Sequence, residues 1–133
     1  MKSVNEILAE IDRRQMPDDI ETISDYVCEL NRVTRGAGKH VAMLITTSRE
    51  KFFRDDAKGW LDWGQEAFSF NRKYISHCHK IGTLLLGVND ETFHKIEPLD
   101  MGSLLALSRL KAGQVEEYSK IADLAKLSRE EVR

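Results

Sequence analysis

The residues with reactive or ligating side chains crowd into one run, "GWLDWGQEAFSFNRKYISHCHKIG", from Gly59 to Gly82. Its first half holds Trp60, Trp63 and the carboxylates Asp62 and Glu66. Its second half holds Arg72, Lys73, Lys80 and the sequence His77-Cys78-His79, with no acid among them. A metal centre would need imidazole and thiolate groups converging on one point. On a helix, consecutive side chains diverge by about 100°, so His77, Cys78 and His79 cannot chelate one ion together. No two histidines stand one helical turn apart, and no spacing foretells a meeting of Cys28, His40 and His94. Neither cysteine has a nucleophile signature. Asp62 and Glu66 at i, i+4 read as a solvated helix face. "RGAGK" is too short for a phosphate loop and follows a helix, not a strand. No enzyme, no metal and no cofactor is expected.

The remaining chemistry is recognition of phosphate and base edges. If residues 71–82 form a helix capped by Asn71, then Tyr74, Ile75, Cys78 and Ile81 make its buried stripe. Arg72, Lys73, Ser76, His77 and Lys80 are left outside, and these five are the candidate DNA-binding residues. Arg and Lys donate to phosphate or guanine, while Ser and His serve base edge or backbone. The free N–H groups at the helix start also favour phosphate. A net charge of −2 gives the whole molecule no pull on nucleic acid, but a local acid-free patch still steers toward it.

That helix needs a support. Trp60, Trp63 and Phe68 give a preceding helix an apolar face, and Ser69-Phe70 is a tight connection, so a helix-turn-helix is expected at about 59–82. The tryptophan pair, the short helix ending in Phe68, the polar cap and the basic helix together resemble the helix-turn-helix of phage- and plasmid-borne DNA-binding proteins. They are loosely similar to the central domain of ParB and KorB partition proteins. The resemblance covers roughly Val41 to Arg133, including the helical segment "MGSLLALSRLKAGQVEEYSKIADLAKLSREEVR". Tyr74 and Ile75 depart from it, standing where those proteins have small residues, and the arginine-rich box that precedes the motif in partition proteins is missing. The resemblance implies a sequence-specific, non-enzymatic regulator of phage, plasmid or mobile-element type that docks helix 71–82 in the major groove of double-stranded DNA. Such a helix reads few bases, so a homodimer on a palindromic site is expected. The alternative is a helical protein-interaction module, an adaptor, inhibitor or assembly subunit, with a protein partner.

The rest of the chain must carry this unit. With 133 residues, 41% of them hydrophobic, it can build a real core. Helical period runs almost throughout, and no strand alternation appears, so the class is all-α. Ser3 with Glu6 forms a capping box ahead of Val4, Ile7, Leu8 and Ile11, and Pro17 breaks that helix. Asp19 caps a second helix whose seam, Ile20, Ile23, Val27 and Leu30, suits a partner helix. Residues 1–38 are therefore expected to be an N-terminal helical arm and a candidate dimerisation element, with packing of the seam inside its own chain an equal alternative, and 39–133 a helical domain. A helix spans about 39–54 with Val41, Leu44, Ile45 and Phe52 on its apolar face, followed by "RDDAKG" as a polar connection. "GVNDETFHKIEPLD" has turn chemistry around a short helical turn. Asp100 caps a helix carrying Met101, Leu104, Leu105, Leu107 and Leu110. "KAGQ" is a turn, and Val115, Tyr118, Ile121, Ala122 and Leu124 mark another helix. Ser128 with Glu131 opens a last capping box that stops within one turn, as a truncated or frayed end would. No apolar run nears the roughly 18 residues of a membrane span, and the N-terminus lacks the apolar core of a signal peptide. A cytoplasmic, non-membrane protein with two buried, reduced thiols is expected.

Overall fold

Helices start where the sequence offers a side chain to cap them. The computed structural model describes residues 3–33 and 38–121. Among these the elements are α1 (Val4–Glu10), α2 (Ile20–Val33), α3 (Gly38–Lys51), α4 (Ala57–Phe68), α5 (Arg72–Gly87), α6 (Asp90–Ile96), α7 (Met101–Leu107) and α8 (Ala112–Ile121). No strand occurs among the described residues, so the class is all-α. Ser3 accepts from the Glu6 N–H, Asp56 from Gly59, Asn71 from Tyr74, Asn89 from Thr92 and Asp100 from Ser103. Each cap satisfies one of the N–H groups that a helix start leaves without a partner. Asp19 does the same for Glu21 ahead of α2, at 3.1 Å.

The core is organised around α3, which is buried from Val41 to Ser48 without interruption. Its three hydroxyl residues there are satisfied by main-chain carbonyls. Thr47 donates to Met43 O (2.8 Å), Ser48 to Ile45 O (2.5 Å), and Thr46 reaches across to Cys78 O and His79 O on α5 (3.4 and 3.3 Å). Buried hydroxyls without such partners would cost more than α3 gains by packing. α5 is the main neighbour of α3, and the two approach at Gly82. A Cβ there would overlap Thr46 Oγ1 and the Ala42 carbonyl oxygen, and would stand 2.8 Å from Thr46 Cβ. Gly82 therefore does not end the helix, as expected from the sequence, but sits inside it. α5 runs on to Gly87.

The expected N-terminal arm folds against the rest. Ile23, Val27 and Leu30 are fully buried, and Ile7 and Met16 join the same core as α3 and α5. Only Ile20 of the seam is half-exposed. Of the two readings of the seam, a dimer element or packing inside one chain, its burial in the common core favours the second. The physical reason is length: a seven-residue helix such as α1 is not stable alone, so α1 and α2 gain their order from packing on the body. Arg13 fastens this region. Its guanidinium donates to Leu85 O (3.1 Å) and Val88 O (2.8 Å) at the end of α5, bonds Asp90 at 2.6 Å, and lies 4.6 Å from the centre of the Phe93 ring. The hydrogen bond from Arg13 holds the Asp90 carboxyl below the usual carboxylate range.

Other boundaries differ from expectation for local reasons. α3 stops at Lys51, leaving Phe52 exposed while Phe53 turns to the core. The end of "RDDAKG" is already α4, with Asp56 as cap. "KAGQ" opens α8 instead of forming a turn, since Gln114 Oε1 accepts from the Lys111 N–H at 3.0 Å and so caps the helix from within. α7 ends at Leu107, so Leu110 lies in the connection. Cys28 is exposed, not buried as expected, whereas Cys78 is fully buried, and both are free thiols. No helix among the described residues is long and apolar enough to cross a membrane. Ala122, Leu124, Ser128 and Glu131 lie outside the described residues, as do Arg35, Gly36 and Ala37, the first three residues of "RGAGK".

Candidate nucleic-acid interface

The support for α5 is built from aromatic rings. Trp60, Gly64 and Phe68 form the buried face of α4. The Trp60 indole N–H donates to Ser48 Oγ on α3 at 3.0 Å, and that of Trp63 to Ser24 Oγ on α2 at 3.2 Å. Rings then pass contact along the chain: Phe53 to Trp63, Trp63 to Phe68, Phe68 to Phe70 and Phe70 to Tyr74, with centroids 5.7, 5.0, 5.3 and 4.7 Å apart. Aromatic pairs at such separations favour tilted and edge-on geometries, and this series fixes the angle between α4 and α5 on both sides of the turn.

The turn itself is three residues, Ser69 to Asn71. Ser69 closes α4 by donating its N–H to Gln65 O (3.0 Å) in the left-handed conformation, φ 60° and ψ 27°. A side chain there costs about 1 kcal/mol relative to glycine, partly offset by the looser unfolded chain that glycine brings. Ser69→Gly is therefore expected to stabilise the fold by about 0.5 kcal/mol and Ser69→Val to destabilise it by more, as read from paired denaturant melts. After the turn, Asn71 Oδ1 accepts the Tyr74 N–H at 2.8 Å. The bulk of Ile75 is accommodated by Gly64 opposite, where a Cβ would stand 2.6 Å from Ile75 Cδ1. The two helices thus meet closely despite the large residues on α5.

The sequence-derived faces of α5 are as expected, with one refinement. Ile75, Cys78 and Ile81 are buried and Tyr74 is half-buried. Arg72, Lys73, Ser76 and Lys80 are exposed. His77 is half-buried, at the edge of the face, in a cleft shared with Lys80, Leu105, Ser108 and Arg109. The five residues lie within Arg72–Lys80, the first nine positions of α5, because the rest (Ile81, Gly82, Leu84 and Leu85) is committed to the core. Arg109 belongs to the same neighbourhood and was missed. The signal for it is a second acid-free run, Met101 to Gln114, which carries Arg109 and Lys111.

The run His77-Cys78-His79 is split among three environments, as helix geometry demands. His79 packs edge-on against Trp60, with centroids 5.3 Å apart. Cys78 lies inside, where burial pushes its thiol up to about 11 and that of the Tyr74 phenol beside it to about 12. A thiol so placed stays protonated and is a packing group. His40 and His94 border one open cleft with Asp12, Arg13 and Asp90, away from Cys28. No group of three metal-ligating side chains assembles among the described residues.

Two histidines give the fold a pH dependence. Burial lowers the value of His79, helped by Arg49 and opposed by Glu50, and burial lowers that of His40, helped by Lys39 and opposed by Glu97. The buried Nδ1 of His40 has no hydrogen-bond partner among the described residues, so a proton there lacks an acceptor. Both imidazoles are harder to protonate in the folded chain than in the unfolded one. Stability is then fully present above the ordinary value of 6.5 and falls as pH drops below it, because the unfolded state binds protons first. Thermal melts from pH 7.5 down to about 5 are expected to show this fall, and His40→Gln with His79→Gln should flatten it.

Comparison with known proteins finds no matching family model, no matching curated protein and no matching solved structure.

Proposed function

We propose that this chain binds double-stranded DNA by laying the N-terminal half of α5 in the major groove. The observation that carries the reading is the exposed, acid-free face of Arg72, Lys73, Ser76 and Lys80 on a helix held by a three-residue turn. Long cationic side chains beside a helix start meet phosphates, and the more central side chains reach base edges. Two copies on a palindromic site would give such a short reading helix enough bases. They would join through a surface other than α2, whose seam is buried. A regulator of phage, plasmid or mobile-element type is the role that fits, without enzymatic chemistry.

The rival class, a helical protein-interaction module, would bind through the α2 seam or through the C-terminal helices, of which residues 122–133 lie outside the described residues. The seam that a partner helix would use is covered, and Phe52 is the single large apolar side chain exposed among the described residues. One scattered apolar residue does not make a docking patch. Fluorescence anisotropy against mixed-sequence duplex, at about 50 mM salt and upward, tests the proposal. Binding should weaken linearly in log–log form with a slope near one unit per phosphate contacted. A chain that leaves duplex untouched at micromolar protein and low salt is not a DNA-binding protein.

A further inference from the structure

We infer that residues 3–18 form a strap that opens as a unit while α2 to α5 stay folded, and that ionic ties after α1 hold it shut. The strap is a property of the fold, independent of DNA binding. Among its described side chains only Ile7 and Met16 are buried. By contrast α2 buries Ile23, Tyr26, Val27 and Leu30, and α3 is buried from Val41 to Ser48. Each ordered residue costs conformational entropy, and two buried side chains offset that cost for only a few residues. α1 has seven residues, too few to keep its own hydrogen bonds in water. Polar ties therefore decide whether the strap stays down.

Those ties cluster in the segment that follows α1. Arg13 and Arg14 share the Asp90 carboxylate, each at 2.6 Å, and Arg13 also donates to Leu85 O and Val88 O. Lys51, the last residue of α3, gathers three oxygens of the same segment. Its ammonium donates to Met16 O at 3.2 Å, to Pro17 O at 3.4 Å and to the Asp18 carboxylate. Glu10 accepts from the Tyr26 hydroxyl on α2. Charge-assisted bonds are stronger than neutral ones. Arg14, Asp18 and Asp90 are exposed, however, so water and salt compete for them. Segments with few buried apolar contacts are the ones that open locally. Opening would uncover the seats of Ile7 and Met16 and take the Arg13 donor from the last carbonyls of α5.

Native-state hydrogen exchange of the full chain tests this. The amides of Ile7 and Ile11, bonded to Ser3 O and Ile7 O, report on the strap, and those of Leu44 and Ile81 on α3 and α5. In the wild-type chain the strap amides should be less protected than the other pair by at least about 10-fold. Asp90→Ala removes the partner of both arginines. It should speed strap exchange about 10-fold further and leave Leu44 and Ile81 unchanged. Lys51→Met, which keeps the stem and drops the ammonium, should speed the same strap amides. Raising salt from about 0.05 to 0.5 M should move the wild-type chain toward the variants. Equal protection of both sets, or a variant that speeds both by the same factor, would make residues 3–18 part of the global unit. Strap amides that exchange early yet ignore both variants and salt would remove the ionic control. Either result overturns the inference.

Discussion

Replacing Arg72 and Lys80 together by alanine is expected to lower duplex affinity by roughly 30- to 100-fold at low salt, and to reduce the salt slope by up to two units. Both side chains are exposed on α5, away from Ile75, Cys78 and Ile81, so the melting temperature should hardly move. The single changes separate two roles. A lost phosphate contact weakens all sequences alike and reduces the slope, whereas a lost base contact costs about 1–3 kcal/mol and relaxes preference at one position. Trp63→Ala provides the contrast. It removes a ring between Phe53 and Phe68 and the bond to Ser24, so stability should fall first and binding only as the helix loses its seat. Unchanged affinity and slope in the Arg72, Lys80 double variant would reduce the basic face of α5 to a solvated surface.

Gly82→Ala should produce the largest loss of stability from the smallest change. Two effects oppose each other. Alanine is the better helix former by about 1 kcal/mol. Against that, its Cβ would overlap Thr46 Oγ1 and the Ala42 carbonyl, and a backbone oxygen inside α3 cannot move aside as a side-chain end can. Overpacking of this kind costs typically about 1–3 kcal/mol, and more where two helix backbones must separate. We expect a net loss of about 2 kcal/mol or more, a melting temperature lower by roughly 5–10 °C for a chain of this size. Gly113→Ala is the internal control, since nothing lies within 4 Å of a Cβ there. The same substitution in α8 should stabilise by up to about 1 kcal/mol. If denaturant melts show Gly82→Ala to be neutral, α3 and α5 do not cross as closely as described.

These two glycines show what was legible in the sequence. Helix starts were readable because capping is local: Ser3, Asp19, Asn71 and Asp100 each bond an N–H two or three residues on. The two faces of α5 were readable for the same reason, since they depend only on its period. The length of α5 was not, because a glycine that ends a helix and one that admits another backbone both work through the missing Cβ. The fate of the α2 seam was equally hidden: Ile23, Val27 and Leu30 would show the same spacing against a second copy or against their own chain. Phe52 and Phe53 are adjacent, and only the place where α3 stops decides which of them goes inside. Arg109 was out of reach because it borders the same cleft as His77 and Lys80 through the packing of α7 on α5, not through any spacing along the chain.

Before any ligand arrives, α5 is already tied at both ends, by Asn71 at its start and by Arg13 on Leu85 O and Val88 O at its finish, with Gly82 seated on α3. Binding through its exposed face would therefore order no helix. The heat capacity change of association should be the modest one of two preformed surfaces meeting, without the large negative term of coupled folding. If duplex DNA is the ligand, as proposed, discrimination between targets would then fall on the other partner, with the bending and groove width of the duplex as the variables that adjust.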